Sequence, residues 1–137
     1  MSDPVWQGIR RYIENVLCLE DWFEVFIAQD VVLDTLLYDL IYTQFDEAIT
    51  AAGGGDLAIL IEFMQEWHKD TSRWVDSVLK ITAAESDHNR EVIGGWIEEW
   101  REKAVTDLAP LAEAAVGGEA TGIALDVLNK RIAKAGL

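Results

Sequence analysis

The stretch DWFEVFIAQDVVLDTLLYDLIYTQFDEAI, residues 21–49, decides the fold. Its apolar side chains recur at helical spacing and three glycines follow at 53–55, so the sequence predicts one long helix from about Glu20 to Ala52. About 30 residues at 1.5 Å each span roughly 45 Å, whereas a compact domain of this length has a radius of gyration of only ~14 Å. We therefore predict an all-α fold of long antiparallel helices that lie side by side.

Apolar residues occupy two sides of this helix. On a helical wheel, one broad face carries Val25, Phe26, Leu33, Leu36, Leu37 and Leu40. The nearly opposite side, among the carboxylates, carries Phe23, Ile27, Tyr38 and Ile41. A helix that is apolar on two sides is buried on both or expects a partner. Because three long helices cannot cover one another on both faces, the pattern predicts a neighbouring chain.

Tryptophans form two stripes farther along the chain. Trp67 and Trp74 are seven residues apart, and Trp96 and Trp100 are four apart, so each pair lies along one side of a helix. Such stripes are typical of core or subunit-interface packing. The residues predicted to form a subunit interface are Trp22, Phe23, Ile27, Tyr38, Ile41, Trp74, Trp96 and Trp100.

Two helices flank the long one. Ser2 or Asp3 is expected to cap the first, with Pro4 in its first turn. Asp56 is expected to cap a third helix that continues to about Glu85. With no strand and no internal repeat in view, residues 1–137 are predicted to form a single helical domain.

The C-terminal part predicts two more helices. The fourth should begin near Ser86 or Asp87, bend at Pro110 and reach Val116. A last helix follows the glycines at 117 and 118. The pair Gly94-Gly95 costs about 1 kcal/mol per glycine relative to alanine, which suggests a close helix-to-helix approach there.

The charge is strongly negative and unevenly spread. A net charge of −14 argues against nucleic-acid binding, since phosphate contacts need a basic patch. Between Arg11 and Lys69 no Lys or Arg occurs, while carboxylates pair at helical spacing. These pairs are Glu20 with Glu24, Asp30 with Asp34, and Glu62 with Glu66 and Asp70. Three explanations remain open for how the repulsion within these pairs is offset: solvent around an acidic face, basic groups on another chain, or a metal.

Targeting signals are not evident. Apolar runs are broken by charges well before about 18 residues, so no transmembrane span is expected. The N-terminal residues do not form a secretory signal, and the single cysteine, Cys18, fits a reducing compartment. We expect a cytoplasmic protein that does not associate with membranes.

A possible metal motif lies at Glu85-Ser-Asp-His88. Bundles that hold two irons take a Glu from each of two helices and a Glu-x-x-His from each of the other two. The counterpart at His68 begins with Gln65, an amide and a poor ligand for hard metals. Ser86 also favours a helix start, which would break the i, i+3 register. The motif is therefore interpreted as a helix junction, and we assign no catalytic, cofactor-binding or metal residue. The alternative metal set is Glu62, Glu66, His68, Glu85 and His88.

Three stretches carry a family resemblance that covers most of the chain. The long helix followed by glycines, the run EFMQEWHKDTSRWVDSVLKITAAES, and the run HNREVIGGWIEEWREKAVTDLAPLA resemble the C-terminal half of the beta subunit of soluble bacterial multicomponent di-iron monooxygenases. These are the phenol, toluene, alkene, propane and methane hydroxylases. The most specific parts are Asp21-Trp22, Arg73-Trp74-Val75 with Asp76, and Asn89-Arg90 followed by Trp96 and Trp100.

This resemblance implies half of a ferritin-like bundle plus C-terminal helices, in a non-catalytic subunit without metal ligands. It implies a catalytic alpha subunit that holds the di-iron centre, with a possible gamma subunit, a reductase and a regulatory protein. The assembly would use NAD(P)H to insert one oxygen atom from O₂ into aromatic or aliphatic hydrocarbons. Family beta subunits are longer, so a fragment, a split subunit and a small paralogue all remain open. The rival hypotheses are a stand-alone protein with a carboxylate–histidine metal site in a homodimer, and a small self-associating helical adaptor.

Overall fold

The computed structural model describes residues 3–54 and 58–137, except for the side chains of 58–60. The described residues form helices and no strand, which confirms the predicted all-α fold. A 3-10 turn at Pro4–Trp6 leads into α1 (Gln7–Val16), and α2 follows as one continuous helix over residues 22–51. The last three helices are α3 (Ala58–Glu85), α4 (Asp87–Ala115) and α5 (Ala120–Ala135). None of the described helices is both long and apolar enough to cross a membrane.

Side chains that accept hydrogen bonds from nearby backbone amides set where the helices begin. The Asp3 carboxylate accepts a hydrogen bond from the Val5 amide at 3.0 Å, which confirms one of the two predicted caps. Asp21 accepts from the Phe23 amide at 2.8 Å and caps α2, which begins at Trp22, two residues after the predicted start. The Ser86 hydroxyl accepts from the amide of residue 89 at 3.0 Å and starts α4. The predicted caps at Ser2 and Asp56 lie outside the described residues.

Helix α2 is not a regular α-helix throughout. Two π-helical segments, Ile27–Leu33 and Leu40–Gln44, interrupt it. A π turn carries an extra residue per turn, so a wheel drawn at 3.6 residues per turn loses register along this helix. The two faces expected from that wheel therefore do not persist.

Instead α2 is the central helix of the chain and is covered from several sides. Its first π segment packs on α4, the segment Asp34–Asp39 packs on α5, and its second π segment packs on α3. Phe23 and Ile27 were expected to face a partner, but both are buried in the chain's own core, Ile27 with no exposed surface. Their assignment to a subunit interface is wrong, because helices of the same chain cover this side of α2.

Trp100 of α4 is also a core residue and not an interface residue. Only 1% of its surface is exposed, its ring lies edge-on to Tyr12 of α1 at 5.1 Å, and its indole N–H donates to Glu24 of α2 at 3.0 Å. The Tyr12 hydroxyl donates to the carbonyl of Ala28 at 2.7 Å. These contacts join α1, α2 and α4 into one core, and the buried indole and phenol groups each have a partner.

The close approach between helices lies at a different glycine from the one predicted. A Cβ atom at Gly8 of α1 would overlap the backbone oxygen of Asp107 in α4. Cβ atoms at Gly94 and Gly95 would meet nothing within 4 Å, so the prediction of a close approach there is wrong within the chain. The Asp107 carboxylate, almost fully buried, pairs with Arg11 of α1 and further joins the two helices.

Helix α4 continues through Pro110 to Ala115, and the proline is exposed. The helix ends at Ala115, one residue before the predicted end at Val116. The bend at Pro110 stays a prediction. Gly117, with a φ of 131°, follows in a conformation that side chains with a Cβ rarely adopt. The chain then turns into α5.

Candidate subunit interface

Large apolar side chains form a line along the outer side of α3. Four of them, between 51% and 71% exposed, make up what we call the α3 stripe: Phe63, Trp67, Trp74 and Ile81. Their spacing of four, seven and seven residues keeps them on one side of the helix over a length of about 27 Å. The opposite side of α3 carries Val75, Leu79 and Ala83, which are buried in the core. Helix α3 is therefore apolar on two sides, and the described part of the chain covers one of them.

The spacing of the stripe matches the seam of a helix pair. With the exposed residues Asp70, Ser77 and Ala84, the stripe residues alternate at steps of four and three from 63 to 84. This 3.5-residue repeat is the one by which two helices pack knobs into holes. The small residues Ser77 and Ala84 leave space in which the side chains of a facing helix could pack. The outer side of α3 thus has the pattern of a helix-packing surface.

Trp22 extends this surface onto the start of α2. It is 73% exposed, and a series of ring contacts links it to the stripe. Trp22 contacts Phe23 at 5.2 Å, Phe23 stacks on Phe26 at 5.2 Å, and Phe26 meets Trp74 edge-on at 5.9 Å. Because Asp21 caps α2 at this point, Trp22 is held in the first helical turn. Two buried phenylalanines therefore support two exposed tryptophans.

A groove of about 460 Å³ lies where α2 begins and α3 meets α4. Trp22 and Trp96 line it, together with Glu85 and His88. Glu85 is the last residue of α3 and His88 lies in the first turn of α4, which confirms the predicted helix junction. Asn89 braces the junction, since its side-chain amide donates to the carbonyl of Thr82 at 3.2 Å and to the Glu85 carboxylate at 3.4 Å.

The predicted interface residues thus divide into three groups. Trp22 and Trp74 are exposed, whereas Tyr38, Ile41 and Trp96 are half-buried. For these five residues the interface role stays a prediction. Phe23, Ile27 and Trp100 belong to the core, as described above.

The alternative metal set is not brought together within one chain. His68 stacks on Tyr38 at 4.1 Å and lies 3.3 Å from the Ser72 hydroxyl, while Glu62 and Glu66 are exposed. His88 belongs to the groove at the other end of α3, about 26 Å along the helix from His68. Among the described residues, no group of three or more His, Cys, Asp or Glu side chains is arranged to hold a metal ion. A site shared between two copies of the chain stays a prediction.

A sequence model described as methane/phenol/alkene hydroxylase matches residues 1–86, which include α1, α2 and the α3 stripe. This match covers more than half of the chain.

The chain belongs to the methane/phenol/alkene hydroxylase family.

Curated relatives and a solved structure agree with this assignment. The oxygenase component DmpL of phenol 2-monooxygenase from Pseudomonas sp. strain CF600 is 44% identical over 100% of this chain and 41% of its own length. The beta subunit of the hydroxylase component of the toluene-4-monooxygenase system from Ectopseudomonas mendocina is 29% identical over 93% of this chain and 36% of its own length. A crystal structure of xenon-pressurized phenol hydroxylase from Pseudomonas sp. OX1 matches with a TM-score of 0.95 and 37% identity, over 100% of this chain and 42% of that chain. The chain therefore spans about two fifths of the length of these hydroxylase components.

One acidic pair of this hydroxylase-family chain lies close to a basic group of the same chain. Asp30 and Asp34 are half-buried on α2, and Arg131 of α5 lies close to both. The pKa of Asp34 is raised to about 6: burial is the largest cause, the Asp30 charge adds to it, and the Arg131 charge opposes both effects. Burial also raises the pKa of Asp30 against the same guanidinium. Arg131 therefore offsets the repulsion within this pair only in part, and a basic group from another chain stays a prediction.

Sequence reasoning missed three of the four α3 stripe residues as interface residues. Phe63, Trp67 and Ile81 were absent from the predicted interface, although the seven-residue steps from 67 to 74 to 81 are visible in the sequence. Periodicity shows that a helix has an apolar side, but α3 has two such sides, and the sequence does not show which one the chain itself covers. Only the packing of α3 on α2 and α4 decides that.

Proposed function

We propose that this chain is a non-catalytic structural part of the hydroxylase component of a multicomponent monooxygenase. In this proposal it binds a catalytic alpha subunit that holds a di-iron centre and inserts one oxygen atom from O₂ into an aromatic or aliphatic hydrocarbon. A gamma subunit, a reductase that takes electrons from NAD(P)H, and a regulatory protein complete the cytoplasmic assembly. The family membership and the names of the relatives support this proposal.

The observation that carries the proposal is the α3 stripe. Two tryptophans, a phenylalanine and an isoleucine in one line, extended by Trp22, make an apolar surface that monomeric proteins rarely leave in water. Exposed tryptophans are also the residues that contribute most to binding energy in protein interfaces. A partner that buries this line would gain about 25 cal/mol for each Å² of apolar surface removed from water.

The charge around the stripe indicates what the partner surface is like. Glu62, Glu66 and Asp70 lie on or beside the stripe, and Asp70 pairs with the exposed Arg73 of its own helix. No Lys or Arg occurs in the sequence between Arg11 and Lys69. A complementary partner therefore presents apolar side chains, with lysines or arginines where it faces Glu62, Glu66 and Asp70.

The proposal is tested by co-expressing the chain with the catalytic subunit of the same hydroxylase and measuring the complex by analytical ultracentrifugation. Replacing both stripe tryptophans, Trp67→Glu and Trp74→Glu, should release the chain from the complex, because two charges would be buried without partners. Ile123→Glu is the matched control, since Ile123 is 52% exposed on α5 and lies outside the stripe. The control should assemble like the wild type.

Three outcomes would contradict the proposal. Assembly of the double variant at wild-type affinity would show that the stripe is not the interface. A stripe-dependent homodimer that does not bind the catalytic subunit would support a self-associating adaptor instead. Stoichiometric iron in the isolated chain, lost in His68→Ala or His88→Ala, would support a metal site of its own.

A further inference from the structure

A cleft between α2, α3 and α5 is basic although the chain as a whole is acidic. Its volume is about 520 Å³, within the range of small-molecule sites. Four of the eleven cationic residues of the chain line it, against two of the twenty-five carboxylates, Asp39 and Asp76. The cationic residues are Lys69, Lys130, Arg131 and Lys134. The residues that line the cleft therefore carry a net positive charge in a protein whose net charge is −14, although Asp30 and Asp34 lie close to Arg131 behind the lining.

Arg131 forms the floor of the cleft and has one donor group without an acceptor. Its side chain is only 9% exposed. Its Nε pairs with Asp76, and its Nη1 donates to the carbonyl of Asp30 at 3.2 Å and to the hydroxyl of Thr35 at 2.5 Å. Its Nη2 is buried and has no hydrogen-bond partner among the described residues. A buried guanidinium N–H without an acceptor is costly, so this group calls for an acceptor that the described residues do not supply.

The three lysines at the rim of the cleft can bind a ligand, because the described residues give them no ion-pair partner. The described residues place no carboxylate within ion-pair distance of Lys69, Lys130 or Lys134, although acidic residues outnumber basic ones by more than two to one. Lys130 and Lys134 are one turn apart on α5 and both line the cleft beside Arg131. Three ammonium groups around one guanidinium give a strong, directional field for an oxyanion.

Aromatic rings form one wall of the cleft. Tyr38 stacks on His68 at 4.1 Å with an angle of 14° between the rings, and Tyr38 also contacts Tyr42 at 4.9 Å. Burial, and secondarily the Arg131 charge, lowers the pKa of His68, so its imidazole adds no charge at neutral pH. A flat, uncharged wall beside a cationic floor suits a molecule with an anionic head and an apolar body.

We propose that this cleft binds a small organic oxyanion, whose carboxylate or phosphate group pairs with Arg131, Lys130 and Lys134 and whose body lies along Tyr38 and Tyr42. The cleft adjoins the α3 stripe, since Tyr38 also contacts Trp67 at 6.1 Å, but ligand binding there does not depend on the proposed subunit role. It gives the chain a ligand-binding function in addition to assembly.

Isothermal titration calorimetry on the full chain, in the assembly in which it is isolated, tests the proposal at pH 7 and low salt. Inorganic phosphate probes the anionic head alone, and benzoate probes the head together with an apolar body. We expect saturable binding of benzoate with a Kd of about 1 mM or tighter and weaker binding of phosphate. Lys130→Gln with Lys134→Gln should weaken benzoate binding by about tenfold or more, and about 0.5 M NaCl should also weaken it.

Lys80→Gln is the matched control, because Lys80 is exposed on α3 and does not line the cleft. It removes a positive charge from the surface and should leave binding unchanged. No saturable binding of either anion would overturn the proposal. Equal loss in the control and the double variant would also overturn it, since it would show non-specific attraction. Tighter binding of phosphate than of benzoate would overturn the role of the aromatic wall.

Discussion

Helices α2 and α3 are both long and apolar on more than one side, yet the chain treats them differently. Around α2 it packs α3, α4 and α5, so that Ile27 and Leu36 are buried with almost no exposed surface and Phe23 is 9% exposed. Against α3 it packs one side only, which leaves the stripe in solvent. The comparison teaches that an apolar helix face does not by itself show a missing partner, because the same pattern serves the core when other elements of the chain cover it.

The largest effect on stability is expected from a substitution in the core. Trp100→Ala should lower the free energy of unfolding by about 3–5 kcal/mol, because it creates a large cavity and leaves Glu24 and Tyr12 without their contacts. Trp74→Ala, on the stripe, should change the stability of the isolated chain by less than about 0.5 kcal/mol. Urea unfolding followed by circular dichroism measures both. Equal losses would remove the distinction between core and stripe.

Two glycine substitutions compare a covered position with an open one, Gly8 where α1 crosses α4 and Gly94 in the middle of α4. Gly8→Ala should destabilise the chain by about 2 kcal/mol, since the new methyl group would overlap the backbone of Asp107. Gly94→Ala should instead stabilise it by up to about 1 kcal/mol, because Gly94 is in mid-helix with open space around it. Thermal unfolding of the two variants in the same buffer checks the prediction. Destabilisation by Gly94→Ala in the isolated chain would contradict it.

A smaller effect is expected from Asp34, on the covered side of α2. Its pKa is raised to about 6 in the folded chain from an ordinary value of 3.8, so the folded state favours the protonated form. Stability from this group is therefore fully present below about pH 4 and is lost as the pH rises through about 6. Asp34→Asn should raise stability at pH 7 by about 1 kcal/mol, discounted for partial solvation, and by almost nothing at pH 4.

The pH series is measured as the difference between Asp34→Asn and the wild type. His68, whose lowered pKa gives the opposite trend as the pH falls, contributes equally to both proteins and cancels from the difference. A difference that is constant from pH 4 to pH 7 would show that Asp34 titrates normally. Glu113→Gln, which removes an exposed carboxylate of α4, is measured alongside as the control for the loss of one negative charge.

The smallest effect on stability is expected on the stripe itself. Ile81→Ser should leave the free energy of unfolding of the isolated chain within about 0.5 kcal/mol of the wild type, because Ile81 is 71% exposed. The same change should weaken binding of the catalytic subunit, if the stripe is its interface. A pair of measurements, unfolding of the free chain and affinity for the partner, separates the two effects. A large loss of stability in the free chain would show that the stripe is already covered.

Much of the fold was predictable from the sequence because its signals are local. The caps at Asp3 and Ser86 and the glycines after α2 and α4 act within four residues, and they set the helix ends close to where they were predicted. The junction at Glu85 and His88 follows from the same local chemistry. These positions require no knowledge of how the helices pack.

The rest depended on contacts between residues far apart in the chain. The π segments of α2 rotate its later residues relative to a regular wheel, and nothing in the local sequence indicates them. Trp100 enters the core because Tyr12 and Glu24 meet it there, whereas Trp74 has the same residue type and helical setting and is exposed. The basic cleft depends on α5 returning to α2 and α3, which places Arg131 beside residues about a hundred positions earlier.

The exposed α3 stripe also affects the abundance of this protein in the cell. Until the stripe is covered, each newly made copy shows chaperones and proteases the kind of surface by which they recognise unfinished proteins. We therefore expect copies made in excess of the partner to be degraded or to aggregate, and bound copies to persist. The abundance of the chain would then follow the supply of its partner, and stoichiometry would be enforced by turnover as well as by synthesis.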